Sequence, residues 1–105
     1  MVGNSLAFAS LEDAARLLRA RKVSSVELTR LALERAEALQ GRLHAFITLT
    51  PDQALAAARR ADREFKAGDV AGPLRGIPMS IKDLYDTKGI TTTAGSKVYA
   101  ARVPQ

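Results

Sequence analysis

The chain has 105 residues, enough for one small domain, with 47% hydrophobic residues and a formal charge of +5. It has no cysteine, which excludes disulfides, thiolate metal sites and a cysteine nucleophile and fits a reducing, cytoplasmic setting. Sixteen Lys and Arg stand against eleven Asp and Glu, but the signs are interspersed, as in RRADREFK at 59–66, and the aromatic residues are scattered. That distribution argues against a nucleic-acid partner, which would need a basic face or stacking aromatics. No apolar run reaches the length of a membrane span. The opening residues lack a basic n-region and soon meet Glu12 and Asp13, so no signal peptide is expected, and Val2 departs from the myristoylation pattern.

Taken in chain order, three helices carry their own punctuation. The first starts at Ser10, with Asp13 three residues on, and Leu11, Ala14, Ala15 and Leu18 recur at helical spacing. The second starts at Ser24 with Glu27 in the capping-box position. Its apolar face is Leu28, Leu31, Ala32 and Leu39, and Gly41 is the expected stop. The third starts at Thr50, with Pro51 at the first helical position and Gln53 closing a box. Ala54, Ala58, Ala61 and Phe65 form its buried stripe, and Gly68 ends it. Arg60 with Glu64, and Asp62 with Lys66, are four apart and are expected to pair on the wet face.

Between the second and third helices, Leu43, Ala45, Ile47 and Leu49 alternate with more polar neighbours, which is strand periodicity over 43–50. After Gly68 glycine, proline and threonine increase. Ile77, Met79 and Ile81 alternate with Pro78, Ser80 and Lys82, which predicts a short strand with Pro78 near its start or on an edge. Turn residues follow around Lys88 and Gly89. There is no internal repeat.

Several familiar chemistries are missing. His44 is the sole histidine, so no histidine triad or HExxH zinc site can be built, and its expected role is an ordinary strand residue. No phosphate loop and no GxGxxG occur. Asp83 and Asp86 are expected to cap turns rather than to act as an acid–base pair. Lys82 ends an apolar alternation flanked by glycine and proline. As a proton acceptor it would have to be neutral, which burial at the end of a strand could bring about by disfavouring the ammonium form.

The segment Gly72 to Ser96, GPLRGIPMSIKDLYDTKGITTTAGS, resembles the amidase-signature hydrolases, whose pattern is GPLxGIPxxxKD followed by GxxTTxGS. The likeness extends upstream through SSVELTRLALERAEAL at 24–39, HAFITLT and the alanine-rich third helix, and is weakest before Ser10. It implies an α/β fold, helices packed on a mixed sheet, with 1–70 mainly helical and 71–105 the start of the catalytic core. It implies a Ser–cis-Ser–Lys triad that cleaves a carboxamide C–N bond, with Lys82 the catalytic lysine, no cofactor and no metal. The bridging serine and the nucleophile map onto no residue here. Ser80 would share a strand face with Lys82, and Ser96 sits in the TTAGS element, but neither matches the family's serines. The chain therefore reads as an N-terminal portion, inactive alone, completed by a missing C-terminal part and acting on a small amide. The alternatives are an amidotransferase subunit supplying ammonia to a partner, or a noncatalytic fragment used in binding or assembly. The substrate and the oligomeric state stay open, a homo-oligomer included.

Overall fold

The computed structural model of the chain describes residues 3–70 and 72–105. Ala71, where the catalytic-core portion was expected to begin, lies outside the described residues, as do Met1 and Val2. The elements are a single turn α1 (Gly3–Leu6), then α2 (Leu11–Arg19), α3 (Ser25–Leu43) and α4 (Pro51–Lys66), and a 3-10 turn at Lys97–Tyr99.

The capping chemistry works as expected at two starts and not at the third. Ser10 accepts the Asp13 N–H at 3.1 Å. At α3 the whole first turn is satisfied. Ser24 Oγ accepts the Glu27 N–H at 3.0 Å, and Glu27 Oε2 accepts the Ser24 N–H at 2.7 Å, a complete capping box. The two N–H groups between them go to one carboxylate from another helix: Asp62 accepts from Ser25 at 2.7 Å and from Val26 at 3.1 Å. A negative charge at a helix N-terminus is also favoured by the helix dipole. Asp62 therefore does not serve as the expected wet-face partner of Lys66. At α4, Thr50 is the N-cap residue but its side chain makes no capping bond, so Pro51 at the first position defines that start.

α3 runs through Gly41 to Leu43 and is closed by His44, whose left-handed backbone (φ 48) turns its N–H back to Gln40 O at 2.9 Å. An interior glycine costs a helix only about 1 kcal/mol. Just beyond, the Gln40 side chain accepts the Phe46 N–H at 3.1 Å and donates to the Phe46 carbonyl at 2.6 Å, which favours the longer helix.

α2, α3 and α4 bury Ala15 and Leu18, Leu28, and Ala58, Ala61 and Phe65, with Val23 from the α2–α3 turn. Leu18, at 1% exposure, sits in the cluster with Val23, Leu28 and Phe65, and Ile77 from the later segment packs against it. Leu11, expected on the inner face of α2, is exposed.

The sheet expected from the sequence is not formed, and the α/β assignment is corrected: the described residues contain helices and irregular backbone and no strand. Neither 43–50 nor 77–82 has a neighbouring strand to complete a hydrogen-bond ladder, and alternation by itself supplies none of that stabilisation. Residues 44–50 become the connection from α3 to α4, and 77–82 run as irregular chain with Met79 and Ile81 turned to solvent.

Candidate functional site

The lysine segment begins with a turn fastened to α4. The Ile77 N–H donates to Leu74 O at 3.1 Å, and Gly72 and Gly76 both hold positive φ. Arg75 pairs with Glu64 and, at 3.3 Å, with Asp69. Glu64 thus reaches forward to the turn rather than back to Arg60 as the helical spacing suggests. At Gly76 (φ 78) a Cβ would lie 2.9 Å from the Phe65 ring, so glycine is required by conformation and by space. The Gly76 carbonyl accepts the Ser25 hydroxyl at 2.7 Å.

A second fixed point follows Lys82. The Asp83 carboxylate accepts the Thr93 N–H at 2.8 Å and the Thr93 hydroxyl, and the Asp83 carbonyl accepts the Ala94 N–H at 2.7 Å. The two blocks of the sequence motif therefore meet at one contact. These donors, the Thr93 hydroxyl first, hold the Asp83 carboxyl below the ordinary aspartate range, helped by the Gly95 N–H and the Lys82 charge. The Thr93 hydroxyl also accepts the Gly95 N–H at 3.1 Å, closing the turn of Ala94 and Gly95.

The rest of the segment is folded back on itself. Asp86 holds Arg102 through two bonds of 2.6 and 2.8 Å, which lowers the Asp86 carboxyl from its ordinary value. The Gly89 N–H reaches Pro104 O at 2.9 Å and the Thr92 N–H reaches Arg102 O at 3.0 Å. The sequence led one to expect turn caps, but neither carboxylate caps a turn of its own: Asp83 bonds Thr93 and Asp86 bonds Arg102, both distant along the chain.

Lys82 lies between the two anchors, exposed, with Met79, Ser80 and Ile81 exposed beside it. Burial by a strand end, the route foreseen for lowering its proton affinity, is not provided by this chain. Ser96 accepts the Val98 N–H at 3.2 Å as the cap of the 3-10 turn. His44 is exposed at the end of α3 rather than in a strand. Among the described residues no group of His, Asp and Glu is arranged to hold a metal ion. No helix among them is long and apolar enough to cross a membrane.

Sequence reasoning missed Ser25, Asp62 and Gly76 as partners. Ser25 carried no expectation of its own, and Asp62 was expected to be half of an i, i+4 pair. No local spacing signals a bond from residue 25 to residue 76.

The family model described as Amidase matches residues 27–105, so it spans the whole lysine segment, and the chain belongs to the amidase family. It is 51% identical over 87 residues to a glutamyl-tRNA(Gln) amidotransferase subunit of Geobacter sp. (strain M21), covering 83% of this chain and 18% of that one. It is 54% identical over 92 residues to the protein of that name from Aromatoleum aromaticum, covering 88% and 19%. With the one from Dehalococcoides mccartyi (strain CBDB1) identity is 49% over 89 residues, covering 85% and 18%. The chain therefore spans under a fifth of the length of these relatives. No solved structure matches it.

Proposed function

We propose that this chain is the lysine-bearing, N-terminal portion of an amidotransferase subunit that hydrolyses a carboxamide and passes the ammonia to an acceptor held by a partner. The observation that carries this reading is the 51–54% identity to glutamyl-tRNA(Gln) amidotransferase subunits over most of the chain. In this reading Lys82 accepts a proton through a bridging serine, and a second serine attacks the amide carbonyl. Both serines, the oxyanion hole and the substrate pocket come from residues beyond this chain. In this reading the same residues also cover Lys82, which this chain leaves exposed. The mixed signs of the surface charge leave acceptor binding to the partner.

The test is a chimera in which this chain replaces the matching stretch of the Geobacter protein, assayed for amide hydrolysis. The Lys82→Arg variant keeps the positive charge and should lose about 100-fold or more in the acylation step. Lys88→Arg, in the adjoining turn, should change little. Near-normal turnover by a folded Lys82→Arg chimera removes Lys82 from the mechanism. A chimera that makes as much ammonia without its partner subunits as with them would favour a free-standing amidase instead.

A further inference from the structure

The residues around Lys82 are held at two places and at neither by an extended strand. Upstream, the Gly76 carbonyl receives the Ser25 hydroxyl at 2.7 Å, and Ser25 is only 2% exposed. The Ser25 backbone is itself fixed, because Asp62 of α4 accepts the N–H groups of Ser25 and Val26. The Phe65 ring closes the other side of Gly76, leaving no room for a Cβ. Three segments distant in sequence, α3, α4 and the lysine motif, thus converge on one peptide group. Downstream, Asp83 is held by Thr93 and Ala94. Between the anchors, Ile77 packs on the core and residues 79–82 are exposed.

We propose that Ser25 is a positioning residue for Lys82: its hydroxyl fixes the upstream end of a short span whose downstream end is fixed by Asp83, so that the lysine is presented from a segment tied at both ends. The inference rests on the reading of Lys82 as the proton acceptor. A base must sit within hydrogen-bond reach of its partner, and small misplacements of catalytic groups cost large factors in rate. A backbone suspended between two hydrogen-bonded points has far fewer accessible conformations than a loop of the same length tied at one end. The Ser25 hydroxyl bonds the Gly76 carbonyl rather than the Lys82 side chain. It acts through the Gly76 peptide, and Asp62 acts through Ser25.

Two readouts separate this role from general stabilisation. In the 105-residue chain, ¹⁵N heteronuclear NOE values for residues 77–82 should fall in Ser25→Ala while those of α2 and α4 hold. Ser25→Thr, which keeps the hydroxyl, should retain the wild-type values. In the Geobacter chimera, Ser25→Ala should lower kcat about tenfold with KM within about twofold, since the group it misplaces makes no ground-state contact. Should Ser25→Ala lose its helical circular dichroism, Asp83→Asn carries the same two measurements from the other anchor, outside the helical core. Unchanged NOE values at 77–82 overturn the proposal, and so does a loosened span with unchanged kcat. Full activity in the Lys82→Arg chimera sinks the functional reading instead, and the NOE comparison still decides whether Ser25 tethers the segment.

Discussion

The helical region at 11–66 and the motif region at 72–105 bury different kinds of group. In the first, burial is mostly apolar: Leu18, Val23, Leu28 and Phe65 form a cluster flanked by the buried alanines. In the second, the buried side chains are threonines, Thr92 at 2% exposure and Thr93 at 8%, while Met79, Ile81, Leu84, Tyr85 and Val98 face solvent. Apolar contact is non-directional and sums over area, so the helical layer is held by what it removes from water. The motif region is held by directed bonds, Asp83 to Thr93 and Asp86 to Arg102, which set geometry more than they add stability. A region that must present residues to another surface can be organised in this way without closing an apolar core over them.

The largest effect that sharpens this contrast is in the core. Leu18→Ala should cost about 2–5 kcal/mol, because it removes a fully buried side chain and leaves a cavity between helices. Ile81→Ala, at 62% exposure, should stay within about 0.5 kcal/mol. Urea denaturation followed by circular dichroism measures both. Equal losses would mean that the motif region shares the helical core after all.

Gly76→Ala tests the junction of the two regions. The new methyl meets the Phe65 ring in a backbone conformation that side chains resist, and a cost of about 1–3 kcal/mol is expected. Because Phe65 belongs to the core, the loss should appear in the helical transition. Confinement of the loss to amides of 72–105 in hydrogen exchange would show that the junction is looser than drawn.

Capping gives a smaller, internal comparison. Ser24→Ala should destabilise by about 1 kcal/mol, since it breaks a complete capping box. Thr50→Ala should be close to neutral, because Thr50 makes no side-chain capping bond. A cost at Thr50 matching that at Ser24 would restore the box that the sequence suggested there.

The smallest effect is one of pH and concerns the motif region alone. The Asp83 carboxyl is lowered, chiefly by the Thr93 hydroxyl, so the folded state binds its proton less readily than the unfolded chain. Its contribution is therefore complete above the ordinary aspartate value and disappears as the pH falls through the lower, folded-state value. Exchange protection of the Thr93 and Ala94 amides should be flat through neutral pH and drop only on that acidic side. Asp83→Asn should remove the drop; an acid-side loss of the same size in that variant would assign it to another carboxylate, with Asp86 the first to examine.

The helices at 11–66 were legible because their signals are local. Ser10 and Ser24 mark their own starts, and the stripe Ala58, Ala61 and Phe65 repeats at the helical period, so each of these residues declares its role within a turn or two of chain. The lysine motif was legible too, as a pattern of unusual residues in fixed order, which the family match over 27–105 bears out at the level of the family. Alternation at 43–50 and 77–82 misled, since period two records only which residues could share a face. A strand also needs a neighbour, and neither segment has one among the described residues. The partners of Asp62, Glu64, Ser25 and Gly76 were decided by tertiary structure alone. Asp62 and Glu64 each had a plausible partner four residues away on α4. Packing α4 against α3 and the turn at 72–76 instead offered Asp62 the N–H groups at the start of α3 and offered Glu64 the Arg75 guanidinium. An exposed pair on a helix gains a few tenths of a kcal/mol, whereas leaving the N–H groups at the start of α3 unpaired costs more, so Asp62 turns to them rather than to Lys66.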